Sequence, residues 1–386
     1  MEKLIVKNFG PIKEAEIDLT KYVVFIGDTS TGKSVLAKLI TIFRDGIFKF
    51  SSNSSEKEEN LIFENELRRY NIDYDRNKTE MYYYVNNELA FSFKKNKISF
   101  KLDNLKSDFS KYVEDMIENI ASKSFSMNML DFDKDDFTKF LLRDISQKTS
   151  SIYVPAERIL YSMIGNSING LWSNNISISN CYKEFAANYE VARRDFNKIT
   201  FKDFDINYVY EDGFDKIKIN DNKINLSQAS SGIQSLLPLL IVLEKELKNE
   251  KFKYDKTILI EEPELNLFPV KQKRLIEHII SKISKLDDKL IITTHSPYIL
   301  SVLDTLILAM NTINEKPKFK KRIEKIVSEN KWIDYNDISV YEVKNDGTVN
   351  SIKNEEFKSI DANAIDSVSD IISNEFDKLT DLRYEQ

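Results

Sequence analysis

The sequence predicts an α/β fold with an antiparallel β subdomain and a helical insertion. Three observations predict it. An apolar run at residues 21–27 ends in glycine and leads, through a short polar loop, into an amphipathic helical pattern. Two more apolar runs, 257–261 and 289–294, each follow a helical pattern, as expected of strands covered on both faces. Between these segments lie alternating stretches with tight-turn residues, the pattern of antiparallel hairpins.

The elements follow in order. Residues 2–8 read as a strand, and Lys21 to Gly27 as a buried one. The next helix places Val35, Leu36, Leu39, Ile40 and Phe43 on one face. The polar stretch SSNSSEKEEN, 51–60, reads as a loop. Residues 80–103 form a three-strand meander turning at Asn86-Asn87 and Asn96, with aromatics that suit packing better than base stacking. Residues 104–147 read as mostly helical, and the strand Ser151 to Val154 is stopped by Pro155. A helix over 180–198 precedes a hairpin over 205–226, which turns at Asp212-Gly213 and Asp221-Asn222. Helix 232–248 precedes strand 257–261, helix 270–286 precedes strand 289–294, and a third apolar run occupies 305–310. A hairpin over 338–352 turns about Asn345-Asp346-Gly347, and an amphipathic helix covers 363–379. There is no internal repeat and no sustained heptad pattern, so no long coiled coil is expected. The expected division is 1–50, a first part of the core with the glycine-rich loop; 51–225, the meander and helical insertion; 226–315, the rest of the core; and 316–386, a C-terminal hairpin and helix.

Composition narrows the function. With 386 residues, 41% hydrophobic and 31% charged, the chain can bury a real core. No apolar run approaches the ~18 residues of a membrane span, and Met1 to Ile5 does not open a signal-peptide core. Cys181 is the single cysteine, which excludes an internal disulfide and a multi-cysteine zinc site and fits a reducing cytoplasm. His278 and His295 are the only histidines, which argues against His-rich metal hydrolase and HNH-type nuclease sites. The net charge of −6 argues against uniform coating of nucleic acid. It leaves room for a local basic patch at Lys316-Pro317-Lys318-Phe319-Lys320-Lys321-Arg322, which reads either as a DNA contact or as a solvated face beside Glu315 and Glu324.

Four motifs carry chemistry. Gly27-Asp28-Thr29-Ser30-Thr31-Gly32-Lys33-Ser34 matches GxxxxGK(S/T) between a strand and a helix, the context a phosphate-binding loop requires. Its backbone N–H groups would cradle phosphates, Lys33 would reach the β- and γ-phosphates, and the Ser34 hydroxyl would ligate Mg²⁺. The strand ending in Glu261-Glu262-Pro263-Glu264 delivers acids to the edge that faces a ligand in an open α/β sheet. Glu261 would hold Mg²⁺, directly or through water, and Glu262 would act as general base on the attacking water. The strand from Lys289 ends in His295, 33 residues after Glu262, where it could hydrogen-bond a γ-phosphate. His278, mid-helix, reads as structural. Ser230-Ser231-Gly232 opens a helix, either as a plain N-cap or as an anion site.

In chain order these four motifs resemble the ABC-type ATPase heads of the SMC, RecF and OLD-like families, across essentially the whole chain including the opening LIVKNFGPI. The resemblance implies ATP and Mg²⁺ as ligands and carries Lys33 and Ser34 as phosphate and Mg²⁺ residues. It carries Glu261 and Glu262 as the acidic-strand pair, with Glu262 catalytic beside Lys33 and His295, and His295 as the switch. It makes Ser230, Ser231 and Gly232 a signature that acts in trans, on ATP held by a second head, so the chain is expected to form a homodimer or higher homo-oligomer. Two departures are evident: ASSGIQ stands for LSGGQ, and Glu261 stands for the usual Asp. Both bear on turnover more than on binding. Glu157 or Arg158, in YVPAER, stands where a nucleotide-sensing Q-loop belongs, or else forms a helix-start salt bridge.

YVPAER, ASSGIQS, EEPE and TTHSPY look most like OLD-like AAA-domain ATPases, many of which serve phage-defence systems such as Septu and PARIS. That implies a sensor or regulatory ATPase subunit, cytoplasmic and off the membrane. The 91 residues after His295 (386 − 295) show no Glu plus Asp-x-Asp arrangement on strands, so a nuclease or toxin is expected on a separate chain. The alternatives are a RecF-like DNA-repair head and an ATP-bound scaffold with negligible turnover.

Overall fold

The computed structural model describes residues 2–45, 56–100, 151–165, 178–219, 222–248, 256–361, 373–380 and 383. The chain opens with a hairpin of β1 (Glu2–Phe9) and β2 (Ile12–Leu19). β1 also pairs antiparallel with β4 (Glu80–Val85), which continues into β5 (Glu88–Lys94) and β6 (Lys97–Phe100). The result is a five-stranded antiparallel sheet in the order β2-β1-β4-β5-β6. The meander therefore shares one layer with the first residues of the chain.

A six-stranded sheet in the order β15-β14-β3-β13-β12-β7 forms the centre. Its strands are β3 (Tyr22–Ile26), β7 (Ile152–Val154), β12 (Thr257–Glu261), β13 (Lys289–Thr294), β14 (Ile338–Val343) and the edge strand β15 (Val349–Ser351). All neighbours are parallel except β14 and β15. The apolar runs now have a reason. Val24, Ile258, Ile260, Ile292 and Val340 face one core, while Val23, Phe25, Leu259, Ile291 and Tyr341 face a second. Period-two alternation between two dry faces leaves no polar position, so each strand reads as continuously apolar.

Helix α1 (Lys33–Arg44) packs on one face, between the central sheet and the antiparallel sheet. Its Phe43 ring lies 4.9–6.1 Å from the rings of Phe63, Tyr83 and Phe91. Phe63 belongs to α2 (Glu56–Arg69). Residues 56–60 are thus helical and not the loop that their polar composition suggests; buried Phe63 and Leu67, four apart, supply the packing stripe. The short α3 (Ile159–Ile164), α4 (Asn180–Asp195), α5 (Ser231–Lys248), α6 (Pro269–Ile283) and α7 (Pro297–Glu315) build the other core.

The apolar run 305–310 is part of α7, with Leu306 and Ile307 buried, and is not a strand. The strand on that side of the sheet is β14, which belongs both to the expected hairpin and to the parallel sheet beside β3. A four-stranded sheet, β11-β10-β9-β8, gathers β8 (Lys198–Phe201), β9 (Ile206–Glu211), β10 (Phe214–Ile219) and β11 (Asn222–Asn225). It is tied to α4 by the buried Arg193–Asp215 pair at 3.2 Å. After α7 come α8 (Lys320–Glu324) and the small pair β16 (Lys353–Asn354) and β17 (Ser359–Ile360).

The fold is mixed α/β, as expected. Among the described residues the longest helix is α7, at 19 residues, so no long coiled coil is present there. Among them, too, no helix is long and apolar enough to cross a membrane. The expected helical insertion at 104–147 lies outside the described residues, as does most of the expected helix 363–379, of which 373–379 are helical. Cys181, at the start of α4, is buried beside Tyr153 in the second core.

Candidate functional site

Parallel strands deliver their C-terminal ends to one edge, and the motifs gather there. Register pairs Ile26 with Thr294, Glu261 with Thr293 and Ile260 with Val154. The loop after β3, the acids after β12, the histidine after β13 and the turn after β7 are therefore neighbours.

The phosphate loop is shaped by its own backbone. Gly32 has φ +106, a conformation closed to most side chains, and it opens α1, where its carbonyl accepts from Leu36 N–H. At Gly27 the constraint is close approach, because a Cβ there would stand 2.2 Å from the carbonyl oxygen of Val343 on β14. Asp28, Thr29 and Ser30 are exposed at the tip. The Asp28 carboxylate accepts from Thr29 N–H at 2.7 Å, and that bond, with one to Asn345, holds its pKa below the ordinary value. The Thr31 hydroxyl donates to Asp28 O at 3.0 Å. Lys33 Nζ donates to Gly27 O at 3.0 Å and Asp28 O at 2.7 Å, folded back over the loop it would share with phosphate. Burial lowers the Lys33 pKa, against the opposing pull of Glu262, Asp28 and Glu264. Ser34, next along α1, is half-buried.

The acidic end of β12 is built differently. Glu261 is buried; the Tyr153 hydroxyl donates to its Oε2 at 2.6 Å, and Lys38 Nζ lies 3.6 Å from its Oε1. Glu262 turns the chain at φ +42, rare for a residue with a side chain, and its N–H donates to Thr293 O at 2.9 Å. Its Oε1 lies 3.1 Å from His295 Nε2, so the two side chains touch within one chain. Glu264 is buried and its Oε1 accepts from both the Thr294 hydroxyl and His295 N–H at 2.7 Å. Burial pushes its carboxyl pKa above the ordinary value despite those donors.

Arg158 is fully buried and donates five hydrogen bonds, all to carbonyls, at 3.0–3.1 Å: from Nε to Ser235, from Nη1 to Pro155 and Glu261, and from Nη2 to Glu262 and Pro263. Burial brings its pKa down to about 10. The carbonyl of Ser235 lies on α5, next to a gap in the hydrogen-bond ladder of that helix. Pro238 has no N–H for the carbonyl of Gln234, and the Ser162 hydroxyl donates to that carbonyl instead, at 2.6 Å. The helix-start salt bridge does not fit Arg158, since all five of its N–H groups bond carbonyls. Glu157 accepts from the Tyr182 hydroxyl at 2.9 Å.

The turn Ser230-Ser231-Gly232 opens α5, where Ser230 O accepts from Ile233 and Gln234 N–H at 3.0 Å. Both serines are exposed. Among the described residues no hydrogen bond or ion pair joins this turn to the phosphate loop. Gly232 lies against the loop after β12, where a Cβ would stand 2.8 Å from Asn266 O. His278 is structural, bonding Asp203 through Nδ1 at 2.9 Å with its ring edge-on to Phe204. In the basic patch, Lys318 and Arg322 lie over the Phe319 ring, and Lys320 pairs with Glu329 at 2.6 Å.

Sequence reasoning missed Tyr153 and Lys38, and gave Glu264 no role although it closes the EEPE motif. These residues fit a Mg²⁺–nucleotide. Glu261 Oε1 is a buried carboxylate oxygen that accepts no hydrogen bond, and α1, which carries Ser34, packs against β12. Among the described residues no cluster of three or more His, Cys, Asp or Glu could hold a metal alone. A shared site suits Mg²⁺, which takes one or two protein ligands and completes its shell with phosphate and water.

A family model described as AAA ATPase domain matches residues 163–300, which include Ser230–Gly232, Glu261, Glu262 and His295 but not the phosphate loop. No curated protein matches the chain. Among solved structures the chain is similar to the SMC head domain from Thermotoga maritima, at 15% identity and a TM-score of 0.36, over 78% of this chain and 90% of that one. It is similar to an SMC head with an extended coiled coil, bound to the C-terminal domain of ScpA from Pyrococcus furiosus, at 14% identity and a TM-score of 0.36, over 91% and 96%. A dimeric ATP-binding cassette in a post-hydrolysis state, bound to ADP and Pi, matches at 11% identity and a TM-score of 0.31, over 92% and 100%.

Proposed function

We propose that the chain is an ABC-type ATPase head that binds ATP with Mg²⁺, pairs with a second head on ATP, and is reset by hydrolysis. The observation that carries this reading is the convergence of the phosphate loop, Glu261, Glu262 and His295 on one edge of the parallel sheet. The loop N–H groups of Gly27–Ser34 and the start of α1 bind the phosphates, with Lys33 as the mobile cation. Ser34 and Glu261 hold Mg²⁺, which when bound neutralises charge on the phosphate oxygens. Glu262 orients water for in-line attack on the γ-phosphorus and takes its proton as the bond to the ADP oxygen breaks. His295, in contact with Glu262, faces the same phosphate. Ser230, Ser231 and Gly232, exposed or half-buried at the start of α5, act on the partner's nucleotide, a role supported by the resemblance of the motif.

Within this reading, the chain serves as sensor or regulatory subunit of an anti-phage defence complex whose nuclease or toxin is a separate chain. Resemblance of the four motifs is the support for that assignment. Mass photometry of wild type and Glu262→Gln, with and without ATP·Mg²⁺, tests the head mechanism. ATP-dependent pairs that persist in Glu262→Gln are expected, and an oligomer of fixed size indifferent to nucleotide sinks the pairing. A nuclease or toxin chain co-purifying from the native host is the expected result for the defence role. Turnover stimulated by DNA, with no such chain, would replace it with the DNA-repair reading.

A further inference from the structure

Arg158 makes one hydrogen bond for each of its five N–H groups, and each bond ends on a carbonyl. A buried guanidinium with no carboxylate in hydrogen-bond contact among the described residues carries a large desolvation cost, only partly offset by the nearby charges of Glu264, Glu262, Glu157 and Glu261, and an apolar side chain could fill the same volume without it. Its donors are therefore placed for what they hold. Three of the five carbonyls belong to the consecutive residues 261–263, around the left-handed backbone of Glu262. A fourth belongs to Ser235, one turn into the helix that Ser230-Ser231-Gly232 opens.

We propose that Arg158 is a positioning residue for Glu262, clamping the strained turn at the end of β12 to the first turns of α5 so that Glu262 and the Ser230–Gly232 turn move as one body. This rests on the ATPase reading above and deepens it. Contact made at that turn by a partner's nucleotide is carried through Ser235 and Arg158 to the base of the same head. The phosphate loop stands outside the clamp, so nucleotide affinity and turnover separate. Lysine cannot replace the arginine fully, since it offers three donors on a point charge instead of five in a planar fork.

The experiment is a cycle of wild type, Arg158→Met, Glu262→Gln and the double variant, with Arg158→Lys alongside, all as full chain. ATP affinity is read by titration with a fluorescent ATP analogue and kcat by phosphate release. Arg158→Met should lower kcat about 10²-fold, as a displaced catalytic group does, with affinity held within about threefold; Arg158→Lys should fall between. The double variant should be no slower than Glu262→Gln alone, because Arg158 acts through that side chain. Unchanged kcat in both Arg158 variants overturns the proposal. So does a loss that adds to that of Glu262→Gln, or one that tracks lost ATP affinity as mere misfolding would. If Arg158→Met does not fold, Arg158→Lys carries the same comparison, alone and with Glu262→Gln. Absent turnover in wild type overturns the ATPase reading with it, whereas a dead Glu262→Gln beside normal Arg158 variants overturns this inference alone.

Discussion

The phosphate loop and the acidic end of β12 meet at one sheet edge, yet they are held in shape by opposite means. The loop organises itself. Apart from the bond between Asp28 and Asn345, its side-chain hydrogen bonds join residues within six positions of one another, and its tip is exposed. The end of β12 is organised by others: Tyr153, Arg158, Thr293 and Thr294 reach Glu261–Glu264 from other segments, mostly in buried contacts. A surface that wraps a flexible anion can be a local loop. The proposed work of Glu262 as a base needs a fixed place, which groups from elsewhere in the fold can supply.

Exchanging one residue from each region should give the largest effect. Glu262→Gln should lower turnover about 10²–10⁴-fold with ATP still bound, while Lys33→Ala should lose the nucleotide as well. Equal ATP affinity of the two variants, by isothermal titration, would erase the distinction. Next comes Gly27→Ala, whose methyl would enter the carbonyl of Val343 and force β3 from β14. A loss of about 1–3 kcal/mol in denaturant unfolding is expected, with weaker ATP binding. Wild-type stability in that variant would show that the loop is less constrained by its neighbour than the close approach indicates.

Tyr153→Phe should sharpen the contrast from the other side. It frees Glu261 Oε2 and should raise the Mg²⁺ needed for half-maximal turnover about 10–100-fold; an unmoved Mg²⁺ titration separates Glu261 from the metal. The smallest effect concerns Glu264. Burial raises its carboxyl pKa above the ordinary 4.5, so the folded chain holds this proton more tightly than the unfolded chain. That stabilisation is complete below about pH 4.5 and is lost as pH rises through the raised value. Glu264→Gln removes the dependence, so its Tm relative to wild type should climb through that window. A constant difference across pH counts against the shift.

What was legible follows the same division. Glycine spacing between strand and helix exposes the phosphate loop, because every group it needs lies within eight residues. Glu261, Glu262 and His295 are legible as polar residues ending apolar strands. Tyr153 is not, because 108 residues separate it from Glu261 and nothing local marks the pairing. The partners of Arg158 are not legible either, because sequence shows its charge but not the carbonyls around it. β2 escaped notice because its buried residues, Ile12, Ala15, Ile17 and Leu19, break strict alternation. The run 305–310 could not be assigned from sequence because a helix buried on a broad face and a strand buried on both look alike over six residues.

The single thiol offers a clock. Cys181 is shut in at the start of α4, and burial pushes its pKa up to about 11, so neither access nor thiolate is available in the closed molecule. An added alkylating reagent can react only when the packing around Cys181 opens, where α4 lies on β7, which makes its rate a count of those openings. Because Tyr153 lies on the strand being uncovered, the clock ticks beside the carboxylate that Tyr153 holds, and a single mass shift per chain reads it without any engineered probe.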